Sequence, residues 1–591
     1  MMTAASASPT PRVATPKFHL PPGIAAEMTA VTDAWRRADT VARMWAHDAG
    51  VWTGQDEGRW LGWLTVAREQ REHPQRFAAF VEEIRAGGFA DAVVLGMGGS
   101  SLCPEVLART YPRAAGLPRL RVLDSTDPVQ VQAVTQRVDL AHTVFFVSSK
   151  SGTTLEPNIF ADYFYARVAA VVGVPEAARR FVAITDPGSP LDKRATEAGW
   201  RAVFHGVASI GGRYSALSDF GMIPGAAAGV DVRQLLDRAE TMAQACAASV
   251  PLADNPGFRL GALIGVCATS GRDKVTILTS PGIAGFGAWL EQLLAESTGK
   301  QGRGVIPVDV EPLGDPSVYG SDRLFVRLCL STEPDPATDA TVEALVTAGH
   351  PVYEVELGDV YDLGGTFFGF EFAVAVAGAI IGIDPFDQPD VEDAKVAARR
   401  LTDAYEAAGS LPELRPLGEG HGITLYADDR NTAELRELTQ GDTDGTRSPL
   451  DDYLRAHLGR VRAGDYVALL AYVPMTPHHE QLLTEMRVLV RDALGVATCV
   501  GFGPRFQHST GQAYKGGPNT GVFLQITCQG RVDLDIPGHS YTFGVVKESQ
   551  ARSDLDVLAT RDRRALRLHL GPDVAHGLST LRDALSRVLD S

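Results

Sequence analysis

The sequence predicts a multidomain α/β protein whose domains are built on mainly parallel sheets. Its 591 residues are too many for one hydrophobic core, since a domain holds roughly 150 residues. Short apolar runs bounded by Gly, Ser, Asp or Pro alternate with helical stretches along most of the chain. Buried strands that alternate with helices are typical of a parallel sheet covered on both faces.

The first part of the chain divides into a tail, a set of helices and an α/β domain. Residues 1–24 have no apolar stretch long enough for a signal peptide, so we expect a disordered tail. Residues 25–225 are predicted to hold helices up to about residue 85 and then a first doubly wound domain. Its strands are predicted in the runs DAVVLGMGGS, LRVLDSTDP, TVFFVSSKSGTT, FVAITDPGSP and RAVFHGV.

Two further α/β units are predicted. Residues 226–404 form a second domain with strands in DKVTILTSPG, GRGVIPVDVEP, RLFVRLCLS and GHPVYEVELG, and it ends with a long helix after Phe386. Residues 405–591 form a C-terminal α/β region, which is polar up to about residue 460. Its regular elements are predicted in YVALLAYV, HEQLLTEMRVLVRDAL, VATCVGFG and VFLQITC.

Charge and cysteine content narrow the classes of function. The net charge of −17 is spread along the chain, which argues against nucleic acid or an anionic membrane as the main partner. The six cysteines are far apart and never form CxxC, so neither a disulfide framework nor a zinc site is expected. No run of 18 apolar residues lacks a charge, and no membrane span is expected. These features together predict a cytoplasmic protein.

One glycine-rich loop could hold a phosphate. The residues GMGGSS follow the apolar run at residues 92–95 and precede a predicted helix. Glycine lets the backbone approach a ligand, and a helix start offers free amides to an anion. Gly99 and Ser100 are therefore candidate binding residues. A tight strand-to-helix turn without a ligand explains the pattern equally well.

A second loop carries a stronger signal for phosphate. It directly follows the apolar run at residues 144–147 and leads into a helix. Several hydroxyl groups, one ammonium and a glycine at a helix start can bind a phosphate dianion without a metal. A hydroxyl-rich helix cap would need only one of these residues. The candidate binding residues are Ser149, Lys150, Ser151, Thr153 and Thr154.

A carboxylate and two cations complete the candidate set. In FGAWLEQLLAES the apolar residues form one helical stripe, and Glu296 lies at its edge, in the last turn before Gly299. The pattern alone fits a surface glutamate equally well. By position alone, Arg213 in GGRYS is better explained by a salt bridge that closes a loop, and Lys395 after Pro389 by a surface lysine.

The order of these motifs resembles a known family. GMGGSSL, SSKSGTT, GGRYSALSDFG, AESTGK and FDQPDVEDAK resemble, in that order, the motifs of glucose 6-phosphate isomerases with their two sugar isomerase (SIS) domains. The resemblance spans residues 85–400 and is strongest to the isomerase half of bifunctional transaldolase and glucose 6-phosphate isomerase proteins. It implies two doubly wound SIS-like domains, followed here by the C-terminal α/β extension.

The resemblance implies roles for the candidate residues. Glu296 would be the base that moves a proton between C1 and C2, and Arg213 would stabilise the enediolate. Lys395 would help to open the sugar ring, while Gly212 and Gln388 would contact the substrate. The family uses neither cofactor nor metal and often completes its site across two subunits, so a homodimer is possible.

The sequence departs from the family at the histidine that opens the sugar ring. A GQH motif is usual between the segments that match AESTGK and FDQPDVEDAK, but here VYGSDRLF places Asp322 near that position. A histidine occurs later, in GPRFQHSTGQAYKGGPNTG, where His508 lies in a polar loop. Imidazole titrates near neutral pH, so we expect His508 to replace the missing acid. Asp322 is the alternative.

Two other functions fit the same pattern. A non-catalytic SIS protein that binds a sugar phosphate and regulates another process would need the hydroxyl loops only. The joint presence of Glu296, Arg213 and Lys395 favours an enzyme. An isomerase for mannose 6-phosphate or another hexose phosphate differs by a single hydroxyl contact, which the sequence does not resolve.

Overall fold

The computed structural model describes residues 13–439 and 448–590, without the side chains of residues 390–392 and 394. Regular structure begins at Lys17, before the end of the tail that the sequence predicts. The elements are β1 (Lys17–His19), α1 (Pro22–Arg37), α2 (Thr40–Trp45), α3 (Trp63–Glu72) and α4 (Pro74–Ala86). The prediction of a disordered tail over residues 1–24 is therefore wrong for its last part; residues 1–12 lie outside the described residues.

The first sheet contains five parallel strands in the order β3-β2-β4-β5-β6. The sequence predicts all five. The strands are β2 (Asp91–Leu95), β3 (Arg119–Leu123), β4 (Thr143–Ser148), β5 (Phe181–Thr185) and β6 (Ala202–His205). The helices are α5 (Leu102–Thr110), α6 (Pro128–Arg137), α7 (Leu155–Val172), α8 (Val174–Ala178), α9 (Pro190–Glu197) and α10 (Asp219–Ala227).

The second sheet has the order β1-β10-β9-β7-β8, in which only β1 is antiparallel. Its strands are β7 (Lys274–Thr279), β8 (Ile306–Val308), β9 (Arg323–Leu330) and β10 (Val352–Leu357). Its helices are α11 (Val232–Ala245), α12 (Pro256–Thr269), α13 (Phe286–Thr298), α14 (Pro336–Thr347), α15 (Leu363–Ile381) and α16 (Pro389–Ala408). By length and composition α15 could cross a membrane, but 89% of its apolar window is buried inside the protein, which accounts for its apolar sequence.

The third sheet has the order β11-β12-β16-β15-β13-β14, with four parallel strands and an antiparallel hairpin at one edge. Its strands are β11 (Gly418–Gly420), β12 (Ile423–Tyr426), β13 (Tyr466–Tyr472), β14 (Ala497–Phe502), β15 (Gly521–Cys528) and β16 (Arg564–Leu570). Its helices are α17 (Asp429–Thr439), α18 (Pro449–Leu458), α19 (Pro477–Leu494), α20 (Gly511–Gly516), α21 (Phe543–Thr560) and α22 (Val574–Leu589).

The three sheets do not form three isolated cores. One hydrophobic cluster joins the N-terminal helices, one face of the first sheet and the second sheet. A second cluster packs the other face of the first sheet against Ile536, Phe543 and Val546 from the C-terminal region. Because the third sheet region packs on the first in this way, α21 and the loop before α20 lie beside the first sheet.

Candidate active site

A cavity of about 540 Å³ lies at the carboxyl ends of β2, β4 and β5. Open α/β sheets commonly bind ligands at this edge. The cavity is lined by all four residues predicted to be catalytic, Arg213, Glu296, Lys395 and His508. It is also lined by seven of the nine predicted binding residues: Gly99, Ser100, Lys150, Ser151, Thr154, Gly212 and Gln388.

Two glycines allow separate loops to meet at this cavity. A Cβ atom on Gly99 would lie 2.0 Å from the carbonyl oxygen of Gly212, so no other residue fits there. Gly98 has φ +56°, and a Cβ atom on it would lie 2.7 Å from the carbonyl oxygen of His508 and 2.8 Å from Nε2 of Gln292. The first glycine-rich loop is thus in direct contact with the segments that carry three of the predicted catalytic groups.

Glu296 lies near the end of α13 with its carboxylate at the cavity. The apolar stripe of this helix is buried, as Trp289 and Leu293 show with exposures of 1% and 0%. Glu296 itself is 8% exposed. Its Oε2 accepts a hydrogen bond of 2.9 Å from Gln292, and its Oε1 lies 3.4 Å from Nη1 of Arg213. The carboxylate is therefore largely shielded from water, oriented by an amide and faced by a cation.

Arg213 is held by several fixed acceptors. It lies in the 3-10 turn Gly212–Tyr214 and is 1% exposed. Its Nε donates to Ser297 at 2.8 Å, and its Nη1 donates to Oε1 of Gln388 at 2.8 Å. Its Nη2 donates to the carbonyl oxygens of Pro385 and Asp387 at 2.7 and 2.8 Å. The guanidinium therefore ties the GGRYS loop to the FDQP segment and cannot turn away from the cavity.

Lys300 holds the same FDQP segment and does not itself line the cavity. Its ammonium donates to the carbonyl oxygen of Asp384 and pairs with the carboxylate of Asp387, both at 2.6 Å. Burial and the charge of Arg213 lower the pKa of Lys300 to about 8, although the two aspartates oppose this shift. Lys300 is therefore a buried lysine that titrates close to physiological pH.

The hydroxyl loop between β4 and α7 turns only some of its side chains into the cavity. Ser151 and Thr154 line it, while the ammonium of Lys150 is paired with Asp186, which lines it too. Ser149 is 2% exposed and does not line the cavity. Thr153 does not line it either, and its hydroxyl bonds that of Ser151 at 2.9 Å. The placement of Ser149 and Thr153 in the binding set is therefore not supported by the geometry.

His508 reaches the cavity from the C-terminal region. It is 9% exposed, and its Nε2 lies 2.9 Å from Oε1 of Glu156. Burial disfavours the Glu156 carboxylate, but the charges of His508 and Lys395 and the hydrogen bond from His508 outweigh it and lower the Glu156 pKa. Asp322 does not line the cavity and pairs with Lys274 at 3.2 Å. The structure thus places His508, and not Asp322, at the site.

Sequence reasoning missed several residues of the cavity and its surroundings. Asp56 and Trp60 line it from the N-terminal helical segment, and the Trp60 indole donates to Asp56 at 3.1 Å. Gln292 lies one turn before Glu296, and Glu156 lies in the first turn of the helix that follows the hydroxyl loop. Gln292 and Glu156 could have been found from the sequence because each lies next to a motif; Asp56 and Trp60 offered no such signal.

The chain is similar to known proteins over much of its length. A family model described as phosphoglucose isomerase matches residues 63–309. A glucose-6-phosphate isomerase of Rubrobacter xylanophilus is 30% identical over 397 residues, which are 58% of this chain and 88% of that protein. One from a Synechococcus species is 29% identical over 434 residues, which are 63% of this chain and 80% of that protein.

Solved structures agree on the fold. A hypothetical protein from Thermus thermophilus superposes with a TM-score of 0.57 at 24% identity, over 65% of this chain and 99% of its own. A glucose-6-phosphate isomerase from Chlamydia trachomatis superposes with a TM-score of 0.50 at 24% identity, over 62% of this chain and 78% of its own.

Proposed function

The chain belongs to the glucose-6-phosphate isomerase family, and we propose that it interconverts glucose 6-phosphate and fructose 6-phosphate through a cis-enediolate. The observation that carries this proposal is the pair of Glu296 and Arg213, whose charged atoms lie 3.4 Å apart at a cavity lined by hydroxyl and glycine loops. Such a pair supplies both a base and a fixed positive charge, which is what enolisation next to a carbonyl requires.

Proton transfer between C2 and C1 is assigned to Glu296. Its carboxylate takes the proton from C2 of the open aldose, and the C–H electron pair forms the C1–C2 double bond while the carbonyl electrons move to O1. The same carboxyl returns the proton to C1, and O2 becomes the ketose carbonyl as its hydroxyl proton moves to O1. C1 is reduced and C2 is oxidised within one molecule, so the reaction balances without a cofactor. The Arg213 guanidinium faces the negative charge that develops on oxygen.

Binding of the phosphate is assigned to the two loops at the ends of β2 and β4. Ser100, Ser151 and Thr154 offer hydroxyl groups at the cavity, and their backbone amides add further donors. Lys150 is already paired with Asp186. In this proposal the ion pair holds the loop in place, and the lysine also offsets part of the phosphate charge. Oε1 of Gln388 accepts a hydrogen bond from Arg213, and its NH2 group can donate to the substrate.

Opening of the sugar ring is assigned to His508 and Lys395. Both side chains line the cavity, and the His508 ring is held by a hydrogen bond to Glu156. In ring opening a proton is given to the ring oxygen O5 and another is removed from the C1 hydroxyl. Imidazole can pass protons in both directions near neutral pH, and a lysine beside it can stabilise the charge on oxygen.

Two reactions measured together test these assignments. Isomerisation of fructose 6-phosphate is followed by a coupled assay with a chelator present. Conversion between the two anomers of glucose 6-phosphate, which needs only ring opening, is followed by exchange NMR. Glu296→Gln should reduce isomerisation by at least about 10³-fold and leave anomer exchange intact, because a neutral amide cannot take the C2 proton.

A complementary variant tests the ring-opening assignment. His508→Ala should slow anomer exchange and turnover of the closed-ring sugar far more than turnover of the open form. A wild-type protein without isomerase activity would refute the proposed function and favour a sugar-phosphate-binding protein. Equal losses of closed-ring and open-chain turnover in His508→Ala would refute the role of His508 alone.

A further inference from the structure

A chain of buried side chains links the proposed ring-opening histidine to the C-terminal helix α21. Nε2 of His508 lies 2.9 Å from Oε1 of Glu156, which also accepts a hydrogen bond of 2.6 Å from Nε2 of Gln550. Oε1 of Gln550 in turn accepts a hydrogen bond of 2.7 Å from the Thr126 hydroxyl. All four side chains are at least nine-tenths buried, so water does not compete strongly for these contacts.

The chemistry of the groups fixes the direction of each hydrogen bond. An ionised carboxylate only accepts, so both nitrogens that face Glu156 must carry protons. Gln550 must therefore turn its NH2 group toward Glu156 and its oxygen toward Thr126, which is the arrangement observed. For the same reason the proton of a neutral His508 ring lies on Nε2, and Nδ1 is the nitrogen without a proton.

We propose that Gln550 is a positioning residue for ring opening: it holds the Glu156 carboxylate so that His508 keeps its Nε2 proton and exchanges protons with the substrate through Nδ1. This inference rests on the proposed function. Gln550 does not line the cavity, so it acts through Glu156. A second hydrogen bond fixes the backbone around it, since Gln507, next to His508, donates to the carbonyl oxygen of Gln550 at 2.9 Å.

Other charged groups face the His508 and Glu156 pair from the elements packed against it. Lys395 on α16 acts on Glu156, and Asp124 after β3 interacts with His508. Arg505, on the same turn as His508, pairs with Asp124 and Glu105. Glu296 on α13 is connected to the His508 backbone through Gln292. Lys547, one turn before Gln550 on α21, pairs with Asp127. These groups are unchanged in the variants below, so differences between variants report on Gln550.

The first test removes the hydrogen bonds of Gln550 and keeps its length. Gln550→Met should slow anomer exchange of glucose 6-phosphate about tenfold, the loss expected for one hydrogen bond to a charged group. In [15N]histidine-labelled protein the His508 signals should move from the Nε2–H tautomer toward a mixture of tautomers.

Gln525→Met is the matched control. Gln525 is also buried and also faces α21, but its amide donates to the carbonyl oxygen of Ala551 at 2.9 Å and to Asp554 at 3.4 Å rather than to Glu156. Its replacement should change neither the anomer exchange rate nor the His508 tautomer. A change of both readouts in the control as large as in Gln550→Met would mean that any lost contact on α21 has this effect, and would overturn the specific role of Gln550.

A second variant keeps the inference testable if Gln550→Met fails to fold. Gln550→Glu places a carboxyl group beside Glu156, and two carboxylates so close cannot both ionise easily. When the new carboxyl is protonated it can still donate to Glu156. Anomer exchange should therefore approach the wild-type rate at low pH and fall below it as pH rises, with a steeper fall than in the wild type.

The outcomes separate this inference from the function on which it rests. A His508 tautomer and an anomer exchange rate unchanged in Gln550→Met would overturn the inference while wild-type isomerisation stands. A wild type without isomerase or anomerase activity would overturn the proposed function. In that case the tautomer measurement still decides whether Gln550 sets the protonated nitrogen of His508.

Discussion

Replacement of Lys300 by Arg should remove a change in substrate binding that occurs near pH 8. The pKa of Lys300 is lowered to about 8 by burial and by Arg213, whereas arginine stays charged across the accessible range. Above pH 8 the neutral amine loses its ion pair with Asp387, a residue whose backbone carbonyl also holds Arg213. The Asp387 carboxylate is 50% exposed, so the lost pair is worth about 1 kcal/mol.

The assay is the dissociation constant of an acyclic sugar-acid phosphate, which needs no ring opening and keeps its phosphate as a dianion above pH 7. For the wild type we expect weaker binding at pH 10 than at pH 7, by up to about fivefold, the limit that 1 kcal/mol sets when the pair supports only the bound state. Lys300→Arg should bind equally at both pH values. The same pH dependence in both proteins would refute the assignment of this change to Lys300.

The same shift has a consequence for stability with a definite sign. Between pH 8 and about 10.5 the folded protein has released the Lys300 proton and the unfolded chain still holds it. Unfolding then takes up a proton, so rising pH stabilises the wild type through this window, by about 3 kcal/mol in total. In Lys300→Met this contribution is missing. The urea midpoint of the wild type should therefore rise relative to that of Lys300→Met between pH 8 and 10; a constant difference would contradict the lowered pKa.

Three further predictions follow from burial and loop contacts. Glu371 is 0% exposed, neither of its oxygens has a hydrogen-bond partner in the described part of the chain, and burial raises its pKa well above the usual range. Glu371→Met should therefore stabilise the protein by about 1–3 kcal/mol. The gain in thermal unfolding should be larger at pH 8 than at pH 4, because the carboxyl group resists ionisation in the folded protein and ionises in the unfolded chain. Gly99→Ala should abolish isomerase activity, because its Cβ would meet the Gly212 carbonyl at 2.0 Å; a soluble variant with wild-type kcat/KM would contradict the close packing of these loops. Ser151→Ala should raise KM for fructose 6-phosphate about tenfold by removing one phosphate contact, whereas Ser149→Ala should leave KM nearly unchanged; equal effects would place both hydroxyls at the phosphate.

The parts of the fold that the sequence predicts are those with strong local patterns. The strands of the first sheet are short, mostly apolar runs that end in a turn, and the parallel order follows from the helices between the runs. The sequence analysis missed β16, whose seven residues RALRLHL include two arginines and a histidine and so do not form a clear apolar run. It also missed β1, β11 and β12, which have three or four residues each. Such strands form because a neighbouring edge offers hydrogen bonds, and that edge belongs to residues more than 140 positions away for β12 and more than 330 for β1.

The candidate site shows the same limit at the level of single side chains. The run SSKSGTT predicts a loop rich in hydroxyl groups, and such a loop is present at the cavity. Composition does not show which hydroxyl reaches the cavity: Ser151 lines it, whereas Ser149, the first residue after β4, is buried and does not. Gln550 was not predictable at all, since its partner Glu156 lies 394 residues away and a glutamine within a helix has no local signature.

The C-terminal region is part of the site because of how its loop is held, as well as because it carries His508. Arg505 pairs with Glu105 of α5, and Gln512 donates to the carbonyl oxygen of Gly299 at 3.0 Å, at the end of the helix that carries Glu296. A Cβ atom on Gly299 would lie 2.3 Å from the Cα atom of Ala513, so the two backbones are in contact. A histidine at position 322 would lie beside Lys274 and would not line the cavity. A loop fixed at both the first sheet and α13 presents its imidazole to the cavity within one chain. Under the proposed function, His508 would then take the place of the family's ring-opening histidine.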